Sequence, residues 1–255
     1  MATALVTGGT SGIGAAFARA LAARGDDLVL VARDQERLAT VAAELVAAHG
    51  VAVETLPADL AVHADVVKVA ARLEDAARPI DMLVNNAGFG MHNRLLSTDI
   101  ELHERAIDVM CKAVLVLGGA AGRAMKARGH GWIINVSSVS SWISQGNYSA
   151  IKAWVRVYSE SLANELYGTG VTVTALCPGW VRTEFHERAR IKTESLPSWI
   201  WIDPDTLVAE ALQDADRGKT ISIPTRLWKF LGFLVAKGPL WAMRLVSRKL
   251  TKSRD

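Results

Sequence analysis

The chain predicts an α/β fold, a parallel β-sheet covered by helices on both faces. Three observations carry that expectation. Seven short apolar runs (ALVTG, DDLVLVA, AVETLPA, DMLVNN, WIINVSS, VTVTALC and TISIP) alternate with stretches of helical periodicity. The first run leads through a glycine-rich turn into an alanine-rich helix, ALVTGGTSGIGAAFARALA. The length of 255 residues, half of them apolar, suits one sizeable core.

In chain order, Gly8, Gly12 and Gly14 make the spacing T-G-x-x-x-G-x-G. Glycines there permit a tight turn and bring backbone N–H groups, with those of Thr10, Ser11 and Ile13, close to a pyrophosphate at the helix N-terminus. The second run ends at Ala32, followed by Arg33 and Asp34. Asp34 reads as the cap of the helix DQERLATVAAELVAAHG. Asp59 and Leu60 follow the third run, and Asp59 could equally cap the helix that begins near His63. The fourth run closes on Asn85-Asn86-Ala87-Gly88, where Gly88 and Gly90 allow close backbone approach. Thr98 and Glu101 have the spacing of a capping box opening a long helix. His92 and Asn93 lie in the loop before it, and a lone loop histidine reads more simply as a solvated residue than as a catalyst.

The fifth run leads to Ser138, with Ser137, Ser140 and Ser141 as competitors, and then to Tyr148 and Lys152 on the helical segment YSAIKAWVRVYSESLANEL. Residues four apart share a helix face. A phenol titrates near 10, and a neighbouring cation favours its ionised form. Lowering it to about 7 takes roughly 4 kcal/mol of differential interaction. Pro178-Gly179-Trp180-Val181-Arg182-Thr183 follows the sixth run, and Asp203-Pro204 reads as an N-cap with proline at the first helical position.

Taken together, Thr7–Gly14, Asn85–Gly88, Ser138, Tyr148–Lys152 and Pro178–Thr183 resemble, in the right order, the short-chain dehydrogenase/reductase family over about residues 2–223. The resemblance implies a Rossmann-type, doubly wound, seven-stranded sheet. It implies a nicotinamide dinucleotide along Gly8–Gly14, Asn86, Ala87, Gly88, Pro178, Gly179, Val181 and Thr183, with Asp59 near the adenine. It also implies catalysis by Ser138, Tyr148 and Lys152. Ser138 and Tyr148 would bind the substrate oxygen, Tyr148 would carry the proton, and Lys152 would bind the nicotinamide ribose and lower the Tyr148 pKa. The place of the acid that binds the ribose 2′-hydroxyl is taken by Ala32, and Arg33 follows it, so NADP(H) is expected in preference to NAD(H). One departure stands out. Met110 occupies the place of the family's fourth catalytic residue, an asparagine that holds a proton-relay water, and a thioether cannot replace an amide.

The remaining expectations concern surroundings. The apolar segment Phe185–Trp201 argues for a hydrophobic carbonyl or alcohol substrate. Cys111 and Cys177 read as buried thiols, not a disulfide or metal site, and no metal is expected. From Thr225 onward there are eight basic residues and one acid, which leaves the rest of the chain mildly acidic and unsuited to nucleic acid. We therefore divide the chain into a catalytic domain, 1–224, and an amphipathic basic helical tail, 225–255. Arg244, Arg248 and Lys252 form a stripe in that tail suited either to an anionic membrane surface or to docking on protein. With the first strand almost at the start and no run of about 20 apolar residues, a cytoplasmic setting is expected, with peripheral membrane contact through the tail as an addition. Pairing through the helices near 99–126 and 146–168 predicts a homodimer or homotetramer. Two rival readings are a weakly catalytic nucleotide-binding sensor and a reductase of 3-oxoacyl chains.

Overall fold

The computed structural model of the chain describes residues 2–91, 93–185 and 197–238. Seven parallel strands form one sheet: β1 Thr3–Thr7, β2 Asp27–Ala32, β3 Val53–Pro57, β4 Met82–Asn85, β5 Gly131–Val136, β6 Val171–Leu176 and β7 Ile221–Ser222. Their spatial order is β3-β2-β1-β4-β5-β6-β7. The chain therefore winds outward from β1 in one direction and, after β3, from β4 in the other. The crevice of such a sheet lies at this reversal, at the carboxyl ends of β1 and β4. All seven apolar runs become strands. The central ones are buried along nearly their whole length, as a sheet covered on both faces requires.

Helices α1 Gly12–Ala23, α2 Gln35–His49, α3 His63–Leu73, α4 Glu101–Ile107, α5 Ala113–Arg128, α6 Gly146–Glu165, α7 Pro204–Asp216 and α8 Arg226–Lys237 flank the sheet. Two apolar clusters result. One packs Phe17, Leu21 and Leu38 with Leu207 and Val208 on one face. The other packs Leu73, Met110, Leu117 and Ile151 on the opposite face. Each fully buried side chain of this size contributes roughly 1.5–3 kcal/mol of transfer free energy.

The expected helix ends form where a side chain or glycine supplies the missing bond. Asp34 caps α2 by accepting from Arg37 N at 3.0 Å, and Gly50, at φ +69°, ends that helix. Asp203 accepts from the N–H groups of Asp205 and Thr206, with Pro204 at the first position of α7. The capping box at Thr98 and Glu101 does not form. Helix α4 begins only at Glu101, after Ile100, with no side-chain cap. The preceding residues close a turn of their own, in which Ser97 Oγ takes the Asp99 N–H and Asn93 donates to the Asp99 carboxylate. Asp59 does not cap α3 either; Val62 stands at that N-cap.

Helix α8 is fastened to the body by Trp228. That ring lies against Gly179, where a Cβ would come within 2.0 Å of it, and its indole N–H donates to Ile200 O at 3.0 Å. The Arg244, Arg248 and Lys252 stripe and His92 lie outside the described residues. Among the described residues no helix is long and apolar enough to cross a membrane.

Candidate active site

The glycine loop leaves β1 and enters α1. Gly8 and Gly12 have φ of +67° and +53°, left-handed values that glycine adopts freely. Gly14 is needed for space. A Cβ there would lie 2.1 Å from Gly8 O and 2.4 Å from Asn86 Nδ2. Ser11 is the N-cap of α1, makes no side-chain capping bond, and no acid occupies the first turn. The first N–H groups of α1, with the positive end of its dipole, are thus presented to a ligand anion such as a pyrophosphate. The residues present fit a dinucleotide.

The turn after β4 locks onto this loop. Asn86 Nδ2 donates to Thr7 O at 2.9 Å and Gly8 O at 3.3 Å. Thr7 Oγ1 accepts from the N–H groups of Asn86 and Ala87, both at 3.0 Å. Thr183, after β6, closes the other side, about 3.5 Å from where a Gly12 Cβ would stand. Val181 is held by a bridge to Ile202. Of these residues Thr183 is the one that stands against the glycine loop; Gly179 packs on Trp228, and Pro178 O accepts from Val139 N.

At the adenosine end, Arg33 is exposed just past β2. The Asp59 carboxylate, still partly exposed, is held in place by its neighbours. Arg105 on α4 grips both of its oxygens, at 2.8 and 3.1 Å, and Ala61 N–H donates to it. Partial burial pushes the carboxyl pKa up. The Arg105 and Ala61 hydrogen bonds, with the charges of Arg105 and Arg33, outweigh that and hold it below the usual range. Leu60 is buried beside it. Sequence reasoning missed Arg105, which lies 46 residues away with no local signal. It missed Arg37 too, whose Nε donates to Thr10 O at 3.1 Å and whose guanidinium lies 3.7 Å from Glu184. Its position one turn into α2, on the side of the glycine loop, was the available clue.

At the other end, Ser138, Tyr148 and Lys152 converge. Ser138 is the N-cap of a short 3₁₀ turn after β5, and its Oγ accepts from Ser140 N and Ser140 Oγ at 3.1 and 2.7 Å. It also hydrogen-bonds the Tyr148 side chain. Ser137 spends its hydroxyl on Lys152 O at 2.7 Å, and Ser141 is buried, so of these competing serines Ser138 is the one that reaches the phenol. Lys152 Nζ lies 5.6 Å from the Tyr148 ring centroid and donates to Val136 O at 2.8 Å. Phe185 stands 6.0 Å from the Tyr148 ring, centroid to centroid, and adds an apolar wall.

The electrostatics differ from the expectation of a lowered phenol pKa. Burial pushes the Tyr148 phenol well above its ordinary value, against the opposing Ser138 hydrogen bond. Burial also pulls Lys152 down to about 8, against the opposing charges of Cys111 and Cys177. Both shifts have one cause: the low dielectric penalises whichever charged form appears. In the chain without ligand, burial outweighs the Ser138 hydrogen bond and favours the protonated phenol.

Met110 lies in a π-helical turn, Asp108–Lys112, between α4 and α5. It is 1% exposed, and its sulfur is 3.0 Å from where a Gly88 Cβ would stand. Cys111, its neighbour, is half-buried, free, and close enough to Lys152 for their charges to interact; burial raises its pKa to about 11. Cys177 is buried and free, its pKa pushed up to about 12 by burial.

Comparison with known proteins places this arrangement. The short chain dehydrogenase family profile matches residues 2–194. A short-chain dehydrogenase from Sphingobium yanoikuyae, solved in complex with NADPH, superimposes with a TM-score of 0.85 at 37% identity, covering 99% of this chain and 95% of its own. The bulky-bulky ketone specific alcohol dehydrogenase from Comamonas testosteroni superimposes with a TM-score of 0.80 at 30% identity, over 99% and 94% of the two chains. The 3-oxoacyl-[acyl-carrier-protein] reductase of a Synechocystis strain is 37% identical over 188 residues, 72% of this chain and 76% of the relative. With its seven-stranded sheet and its glycine loop, the chain belongs to the short-chain dehydrogenase/reductase family, oxidoreductases that act on CH–OH groups with a nicotinamide dinucleotide.

Proposed function

We propose that the chain interconverts a hydrophobic ketone or aldehyde and the corresponding alcohol, with NADP(H) as the dinucleotide. The observation that carries this is the convergence of Ser138 and Lys152 on the Tyr148 phenol, beside Phe185 and across the crevice from the glycine loop. When bound, the nicotinamide supplies the hydride for reduction and accepts it in oxidation. The chain's residues do the rest. Gly8–Gly14, Asn86–Gly88 and Pro178–Thr183 hold and orient the dinucleotide. Ser138 donates a hydrogen bond to the substrate oxygen. Tyr148 gives its proton to that oxygen during reduction and takes it back during oxidation. Lys152 binds the ribose, and its charge, with that of an oxidised ring, offsets the burial that otherwise keeps the phenol protonated.

Tyr148→Phe tests the proton role. Turnover with a panel of apolar ketones should fall by about 10³-fold, within the range of general acid–base catalysis. NADPH affinity, measured by fluorescence titration, should stay within about twofold. Retained turnover would defeat the assignment.

The preference for NADP(H) rests on exposed Arg33 just past β2, after Ala32, which takes the place of the acid. Arg33→Ala should weaken NADPH about tenfold or more, roughly 1.4 kcal/mol, and leave NADH nearly unchanged. Equal losses for both would refute it. A hydrophobic substrate is supported by Phe185 and by the bulky-ketone relative. The acyl reductase in the comparison keeps a second reading open, in which acetoacetyl-coenzyme A outcompetes the ketones in the same assay. Exposed Leu115 on α5 and Val157 on α6 support pairing of two copies through those helices, which light scattering of the full chain would read as twice the monomer mass.

A further inference from the structure

His103 takes no part in the chemistry described above. It lies on α4, 5% exposed, with both ring nitrogens engaged. Nε2 is 3.1 Å from Arg94 O and Nδ1 is 3.1 Å from Asn147 Nδ2. A carbonyl oxygen only accepts, so Nε2 carries the proton. Nδ1 is then the acceptor and the Asn147 amide the donor. The two partners thus select one tautomer and one amide orientation.

Asn147 is the second residue of α6 and directly precedes Tyr148. The turn that carries both starts without a side-chain cap. Gln145, the N-cap, makes no side-chain capping bond, and no acid lies in the first turn. Uncapped helix ends fray. Arg94 belongs to the segment between β4 and α4, where Leu95 and Leu96 are exposed. The imidazole therefore joins three pieces at the mouth of the crevice: that segment, α4, and the turn that presents the phenol.

We propose that His103 is a positioning residue, which through Asn147 holds the first turn of α6 so that the Tyr148 hydroxyl stays on Ser138. This rests on the reading of Tyr148 as the proton carrier. In that reading the pyrophosphate and adenosine would be held at the ends of β1, β2 and β4, away from the first turn of α6, so the bridge bears on the chemical step more than on cofactor affinity. Small misplacements of a reacting group cost turnover steeply.

The test uses the full chain and the ketone of the panel that gives the fastest NADPH oxidation. Its variants are His103→Leu, His103→Asn, Asn147→Ala, the His103→Leu/Asn147→Ala double, and Tyr148→Phe. His103→Leu and Asn147→Ala should each lower kcat about tenfold, with the NADPH Kd within about twofold. The double variant should be no slower than either single, because both remove the same contact. His103→Asn puts an acceptor where Nδ1 stood and should recover kcat to within about threefold of wild type. A readout free of any substrate is the ¹³Cζ resonance of Tyr148 in the NADP⁺ complex, assigned by Tyr148→Phe among three tyrosines. It should move in the Leu and Ala variants and return in the Asn variant. Wild-type kcat and an unmoved resonance in Asn147→Ala would overturn the proposal, and so would losses that multiply in the double variant. If His103→Leu does not fold, Asn147→Ala and His103→Asn decide alone. Turnover that survives Tyr148→Phe removes the proton-carrier reading and this one with it. An inactive Tyr148→Phe beside a fully active Asn147→Ala removes only the positioning role.

Discussion

The two halves of the sheet build the crevice by different means. On the β1–β3 side the cradle is backbone: positive-φ glycines, an uncapped helix start, and a Gly14 so tightly enclosed that no Cβ fits. On the β4–β6 side the working groups are side chains whose properties depend on burial, with Tyr148 pushed up and Lys152 pulled down. A backbone cradle is complete before its ligand arrives. A buried phenol is not, because burial opposes its ionised form until the bound ligand adds charge beside it. The lesson is that shape is preformed in one half and electrostatics is left unfinished in the other.

Gly14→Ala should break the first half most severely. The new methyl would meet Gly8 O at 2.1 Å, a backbone atom that cannot swing aside. Overpacking of this kind costs about 3 kcal/mol, and dinucleotide affinity should fall at least about a hundredfold. Gly119→Ala is the control. Only the tip of the flexible Arg123 side chain lies within reach there, at 3.4 Å, and alanine is the better helix former, so stability should hold or rise slightly. Equal unfolding free energies for the two variants in urea would dismiss the steric account.

Lys152→Met probes the second half through pH. The native lysine titrates at about 8 and the unfolded one near 10.5, so between those values the unfolded chain binds more protons. Stability from this group therefore rises with pH across the window, and the cost of burying the charge is fully present below 8. The difference in unfolding free energy between wild type and Lys152→Met, without dinucleotide, should change in favour of wild type by about 3 kcal/mol from pH 7.5 to 10.5. A difference that stays flat would mean that Lys152 is not desolvated.

The same contrast explains what could be read in advance. Glycine spacing, the Asp34 and Asp203 caps and the seven apolar runs report local backbone needs, and local needs are written in neighbouring residues. Ser138, Tyr148 and Lys152 could be placed together because one strand end and one helix turn carry them. Arg105 on Asp59, Arg37 on Thr10, Trp228 on Gly179 and His103 on Asn147 are contacts between distant elements, with no spacing to announce them. The Thr98–Glu101 pattern failed for the complementary reason. It had the right local spacing, but Ser97, Asp99 and Asn93 closed a competing turn. Burial was the other blind spot: the four-residue spacing of Tyr148 and Lys152 announces a cation near a phenol but not the dielectric around them.

Met110→Asn carries the smallest expected effect on turnover and bears on both halves. If the site lacks its relay because an asparagine is missing, restoring one should raise turnover sharply. The surroundings argue otherwise. Met110 is packed in an apolar cluster with Val109, Ala113 and Leu117, its sulfur against Gly88, the glycine that closes the β4 turn. An amide there would bury two polar atoms in place of a thioether, a cost of about 2 kcal/mol unless partners are found. The π turn at Asp108–Lys112 exists without an asparagine, and Lys152 Nζ already has Val136 O as an acceptor. We therefore expect kcat to change by less than about threefold while the unfolding free energy drops by about 2 kcal/mol. A tenfold rise in kcat would show instead that the relay is what this crevice lacks, and that its unfinished part is a water site as well as a missing charge.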